Sequence, residues 1–162
     1  INKKGKPTDY YVASRRKRNA LTCVTGKHDI CDGVMILAIT EEDEIIILRQ
    51  YRPAIGDYLY ELPAGMIDEN EDIETAARRE LFEETGLKAK TYEMILKPSY
   101  SSVGISDETT AVVKMDVYGE LTTENLEDDE EIEIIKIKKS EAKEFVKKNN
   151  FSIKAGLILS FI

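Results

Sequence analysis

The chain has 162 residues, 42% of them hydrophobic and 33% charged, a globular composition at about the length of one domain. Its formal charge of -8 argues against a nucleic-acid backbone as the main partner, because such binders present net positive surface. No run reaches the roughly 18 apolar residues of a spanning helix, and the basic start from Ile1 to Lys6 has no apolar stretch behind it, so neither a membrane span nor a signal peptide is expected and the expected compartment is the cytoplasm.

Along the chain, Tyr10 to Ser14 and Asn19 to Thr25 read as two short strands around the basic turn Arg15 to Arg18. The thiols Cys23 and Cys31 have no CxxC spacing and no secretory context, so reduced, structural cysteines are expected. Asp32 to Thr40 and Glu44 to Tyr51 are apolar enough for buried strands, and the acidic Glu41-Glu42-Asp43 between them reads as a hairpin turn. Tyr58 to Leu62 reads as another short strand, stopped by Pro63 and Gly65. Ile73 to Glu84 reads as a helix, with Asp72 as its N-cap, Glu74 in the first turn, and Gly86-Leu87 as a Schellman stop.

Lys90 to Lys97 and Thr109 to Tyr118 follow as strands, separated by the loop Pro98 to Glu108. The acidic run Glu127 to Glu131 reads as a solvated turn, with an auxiliary metal contact as the alternative, and leads into a strand from Ile132 to Ile137. Ser140 to Asn149 and Ile153 to Ile162 read as helices, the first capped by Ser140 with Ala142, Phe145 and Val146 on one face. Charge is divided unevenly. Residues 1 to 28 carry eight basic side chains against Asp9, a net of +7, and the rest sum to -15.

The chemistry is concentrated between Gly65 and Leu87. On a helix, Glu80, Glu83 and Glu84 lie three and four residues apart and share about a third of the circumference. Like charges at that spacing cost about 0.2 to 0.5 kcal/mol per pair, and a hard divalent cation with oxygen ligands removes the conflict. Arg79, four before Glu83, can orient that carboxylate. A solvated acidic face is the competing reading. An EF-hand loop starting at Asp68 fails, because its sixth position is Ile73 where Gly is needed and its twelfth is Arg79 where Glu is needed.

This stretch resembles the box of the Nudix hydrolase superfamily: Gly65, Glu71, Arg79, Glu80, Leu81, Glu83, Glu84, Gly86 and Leu87 fill every fixed position of that pattern. The resemblance implies an α/β class with the Nudix fold, an α/β/α sandwich with a mixed central sheet. An N-terminal β-hairpin or strand arm, residues 1–28, would precede a hydrolase domain at 29–162. It further implies hydrolysis of a nucleoside diphosphate linked to another moiety, with Mg²⁺, or alternatively Mn²⁺, held by Glu80, Glu83, Glu84 and the Ala64 carbonyl. Cations bridging carboxylates and phosphates would reconcile an acidic protein with an acidic substrate.

Arg49-Gln50-Tyr51-Arg52-Pro53 and Glu61-Leu62-Pro63-Ala64-Gly65 are similar to segments of the ADP-ribose and nucleotide-sugar pyrophosphatase branch. That likeness implies substrate contacts from Arg52, Glu61 and Gly104, with a surface salt bridge as the alternative for Arg52. It also implies a catalytic set of Glu108 as general base, with Asp107 as the fallback, alongside Glu83 and Arg79. One feature departs from the branch: its Pro-Gly pair reads Val103-Gly104 here, after Ser102. Tyr10 and Tyr11 are candidates for stacking on adenine, with packing as the alternative, and His28 has no partner motif.

The expected partners are a small nucleotide diphosphate and a second copy of the chain, joined through the N-terminal strands. The basic arm would supply positive potential toward a phosphorylated ligand or a partner subunit. Two rivals are another Nudix substrate (a dinucleoside polyphosphate, a coenzyme or an RNA cap) and a non-catalytic ADP-ribose-sensing module. The complete box argues against the sensor.

Overall fold

The middle of the sheet follows from two adjacent apolar runs. In the computed structural model, which describes residues 3–7, 9–126 and 131–162, strand β1 (Gly33–Thr40) is buried on both faces. Val34, Ile36 and Ala38 face one core, and Met35, Leu37 and Ile39 face the other, as the period of two requires. The turn at 41–43 is acidic as expected, with Asp43 in the left-handed region at φ 57.

Strand β2 (Glu44–Arg52) meets β1 at Ile39 and Ile45. It then pairs with β3 (Asp57–Glu61) on one side and β8 (Ile132–Lys138) on the other. The edge of β1 that β2 leaves is occupied by β4 (Ala64–Met66), while the opposite edge runs parallel to β7 (Thr109–Tyr118). β5 (Lys88–Ala89) and β6 (Glu93–Tyr100) complete the mixed sheet on the far side of β7.

Helix α2 (Ile73–Thr85) covers one face, its Ala76, Ala77 and Leu81 packing on Val34, Ile36, Val113 and Met115. Two alanines toward the sheet let the helix approach closely. Helices α3 (Ala142–Lys148) and α4 (Ile153–Ser160) cover the other face through Ala142, Ala155 and Leu159. The architecture is therefore the expected α/β/α sandwich around a mixed sheet. No helix among the described residues is long and apolar enough to cross a membrane.

The N-terminal hairpin does not form. Between Tyr10 and Ser14 only Ala13 makes a β-bridge, to Ser106. Arg18–Ala20 is a 3-10 turn, and the one-turn helix α1 (Thr22–Thr25) ends at Gly26, φ 68. The β-branched residues there suggested a strand, but the Thr22 N–H donates to Asp107 and its hydroxyl accepts from Arg16, so tertiary contacts fix a turn.

Strand β6 runs on through Pro98 to Tyr100, with register shifts at Met94/Leu96 and Leu96/Ser99, the edge-strand setting that tolerates proline. Ser140 lies within a 3-10 turn, Lys139–Glu141, and does not cap α3. Residues 127–130 of the acidic run lie outside the described residues. Glu131, at its end, accepts from the Tyr58 hydroxyl.

Candidate active site

Helix α2 starts where the sequence predicts, with the Thr75 N–H donating to Asp72 at 2.8 Å. Its end differs in detail. The Gly86 N–H donates to Phe82 O at 2.8 Å, and the Leu87 N–H goes to the Thr85 hydroxyl, so the stop is a single αL bond instead of the expected Schellman pair. The last turn holds Glu83 and Glu84 and no basic residue. The negative end of the helix dipole disfavours carboxylates there and favours a cation.

Arg79 gathers the acids. Its Nε and Nη2 donate to both carboxylate oxygens of Glu71, at 3.0 and 2.9 Å. Nη1 donates to Glu80 and to Glu83, each at 2.9 Å, and Nη2 also reaches Met66 O at 2.8 Å. The guanidinium is held more strongly protonated than usual, first by Glu71 and then by Glu80 and Glu83 against the opposing effect of burial. Conversely, Arg79 keeps the Glu71 carboxyl below the ordinary carboxylate range. Glu71 also accepts from the Asp68 N–H, which ties the loop before α2 to the helix.

Two backbone features of β4 place the remaining acids. Glu84 is 3% exposed and accepts from the Ala64 N–H at 3.0 Å. Glu80 rests over Gly65: a Cβ there would lie 1.9 Å from its carboxyl carbon. Gly65 is thus a seat for a carboxylate. Among the described residues no three acidic, histidine or cysteine side chains close into a ready cage, and Arg79 bridges Glu80 and Glu83. The donor set still fits a hard divalent cation: three carboxylates and a backbone carbonyl, all oxygen, at the negative end of a helix.

Arg52 and Glu61 meet directly, with Arg52 Nε donating to Glu61 Oε2 at 2.6 Å. Counting from Ile46, which packs beneath α2, strand alternation carries Arg52 and Glu61 onto the face of the sheet that α2 covers. The loop 101–108 engages different partners. Gly104 O accepts from the Tyr10 hydroxyl at 2.6 Å. The Glu108 carboxylate stands 3.9 Å from Lys154 Nζ, which donates to Ser101 and Thr110. The structure thus joins Ala64, Arg79, Glu80, Glu83 and Glu84 into one group and Arg52 with Glu61 into a second, and directs Glu108 toward α4.

The fallback residue Asp107 is already committed. The Ser14 hydroxyl, the Thr22 N–H and Arg16 hold its carboxyl below the ordinary range. Arg16, read from the sequence as part of a basic arm directed at a phosphorylated ligand or a partner subunit, forms ion pairs with Asp32 and Asp107, whereas Arg15 and Arg18 are exposed. Tyr11 is exposed and Tyr10 is tied to Gly104. His28 Nδ1 lies 2.5 Å from the Tyr100 hydroxyl. Sequence reasoning missed the clamp on Glu71, although Glu71 stands eight before Arg79 at a fixed box position, and it missed Asp32 and Lys154, which carry no motif.

A family model described as "NUDIX domain" matches residues 30–155. The ADP-ribose pyrophosphatase of Bacillus subtilis (strain 168) is 32% identical over 146 residues, covering 88% of this chain and 77% of that protein. The ADP-sugar pyrophosphatase of Mus musculus is 36% identical over 101 residues, covering 59% of this chain and 45% of that protein. The chain spans less than two thirds of several of its curated relatives. A crystal structure described as an ADP compounds hydrolase superposes with a TM-score of 0.68 at 24% identity, over 80% of this chain and 68% of the other; that likeness concerns the fold.

Proposed function

The chain belongs to the Nudix hydrolases, and on that premise we propose that it cleaves the diphosphate of ADP-ribose or a related nucleotide sugar to a nucleoside monophosphate and a sugar phosphate, with Mg²⁺ as its metal. The observation that carries this reading is the carboxylate group assembled by Arg79, Gly65 and Ala64 at the end of α2. The names of the Bacillus and mouse relatives support the substrate class.

In this reading Glu80, Glu83, Glu84 and the Ala64 carbonyl hold the metal, which when bound neutralises phosphate charge and stabilises the developing charge of an in-line displacement. Arg79 orients Glu80 and Glu83. Arg52 binds a substrate phosphate, and Glu61, its partner across the β2–β3 hairpin, contacts the ligand together with the Gly104 loop. Glu108 takes the proton of the attacking water on its carboxylate. Residues 1–28 serve as an arm on a Nudix domain at 29–162. The exposed Tyr11, Val103 and Ile105 support a dimer formed through that arm, and the cytoplasm is the compartment.

The test is a panel of ADP-ribose, nucleotide sugars and dinucleoside polyphosphates incubated with Mg²⁺ and resolved by product. Nucleoside monophosphate and sugar phosphate from the first two classes is the expected result. Folded, metal-bound protein that turns over no diphosphate would overturn the proposal.

A further inference from the structure

The two residues that flank Glu108 are both anchored to one ion-pair hub. Arg16 grips Asp32 with two donors, Nε at 3.1 Å and Nη2 at 2.5 Å, and its side chain is 11% exposed. Its third donor, Nη1, reaches the Thr22 hydroxyl at 2.5 Å and Asp107 at 3.5 Å. Asp107, immediately before Glu108, also accepts from the Thr22 N–H at 2.9 Å. On the other side, the Thr109 N–H donates to the same Asp32 at 2.8 Å, while the Thr109 hydroxyl donates to Ile30 O at 2.6 Å. The Asp32 N–H returns a bond to Thr109 O at 3.1 Å. A cleft of about 290 Å³, lined in part by Ser14, Arg16, Asp32, Asp107 and Glu108, opens beside the hub.

We infer that Arg16 is a positioning residue for Glu108: by bridging Asp32 and Asp107 it holds the backbone on both sides of the base, so the N-terminal segment contributes to the active site of its own chain. The inference rests on the proposed role of Glu108 as general base. A bidentate guanidinium suits the task, because one planar group can hold a carboxylate in a set plane while its remaining nitrogen serves a second acid. A lysine ammonium supplies the charge without the fork. The burial of Arg16 and its four acceptor contacts distinguish it from Arg15 and Arg18, which are exposed. Positioning of this kind acts on turnover more than on binding, since displacement of a reacting group by about 1 Å costs on the order of 100-fold in rate.

The test is steady-state hydrolysis of ADP-ribose with Mg²⁺ by Arg16→Met, Arg16→Lys, Asp107→Asn, Glu108→Gln and the double variant Arg16→Met/Glu108→Gln. Removal of the base should lower kcat by about 100-fold or more. Arg16→Met and Asp107→Asn should lower kcat by about 10- to 100-fold with KM little changed, Arg16→Lys should recover part of the loss, and the double variant should be no slower than Glu108→Gln alone. Wild-type kcat in Arg16→Met and Asp107→Asn while Glu108→Gln is impaired would overturn the positioning role and leave the base in place. A double variant slowed by the product of the two single effects would overturn it too. Wild-type turnover in Glu108→Gln would remove the base assignment and the inference with it. If Arg16→Met fails to fold, the milder Asp107→Asn and Arg16→Lys decide the outcome.

Discussion

Replacing Gly65 by alanine inserts a single methyl group where Glu80 now rests. The new Cβ would lie 1.9 Å from the Glu80 carboxyl carbon and 2.1 Å from each of its oxygens. Ordinary contact begins at 3.4 Å, so the carboxyl carbon must move by about 1.5 Å. That movement also disturbs the 2.9 Å bond from Arg79. A displacement of about 1 Å at a reacting centre costs on the order of 100-fold, so kcat should fall by at least about 100-fold, close to 2.7 kcal/mol of transition-state stabilisation. The fold should survive, because Gly65 is not in the left-handed region and alanine there stiffens the unfolded chain by about 0.4 to 1 kcal/mol. Nucleoside monophosphate release measured against Mg²⁺ concentration, alongside urea unfolding, separates the two effects. A Gly65→Ala protein with wild-type kcat and an unchanged metal requirement would refute the view that Glu80 must occupy that seat.

Three further outcomes are expected. Glu84→Gln keeps an oxygen for the Ala64 N–H, so kcat should drop by about 100-fold or more with stability nearly intact, whereas Glu84→Ala should also lose about 1 to 3 kcal/mol in urea unfolding by stranding that donor. Arg52→Ala should raise KM about tenfold at similar kcat, and because the Arg52–Glu61 pair is part-exposed its stability should change by less than about 1 kcal/mol; an unchanged KM would remove the phosphate contact. Glu71 has its native pKa lowered by Arg79, so its stabilising contribution is full above the unfolded value of about 4.3 and is lost as pH falls through the lower native value. The stability gap between wild type and Glu71→Gln should therefore close on acidification, and a gap that widened would contradict the clamp.

Legibility in the sequence followed how local the determinants were. The β1–β2 hairpin, α2 and β7 were readable because alternation, the Asp72 cap and the Gly86 stop each act within a few residues. The box acids were readable because helical spacing alone brings them together. Strand β4 was not, since three residues after Pro63 become a strand only because β1 has a vacant edge to offer them. The Thr22 to Thr25 turn was hidden for a similar reason: its β-branched residues suit a strand, and only Asp107 and Arg16, distant in sequence or bonded through a side chain, select the helical turn. Glu71 stood in plain view at a fixed position, yet its bidentate bond to Arg79 depends on how the loop at 68–71 folds back. The hub around Arg16 joins four segments and has no motif at all.

The bridge that Arg79 makes between Glu80 and Glu83 has a consequence for how the protein responds to its ionic surroundings. A cluster of like charges normally needs its counter-ion in order to assemble, and chelation then unravels it. Here the counter-ion is built into the chain four residues before Glu83, so the acids stay gathered when divalent ions are scarce. If these acids hold a divalent ion as proposed, loading would be an exchange, in which the incoming ion takes over carboxylates from the Arg79 guanidinium, and the folded state would gain only the increment that free ion concentration allows over its dissociation constant. Divalent ion supply would then govern the working rate of an already assembled protein, acting as a throttle and not as a scaffold.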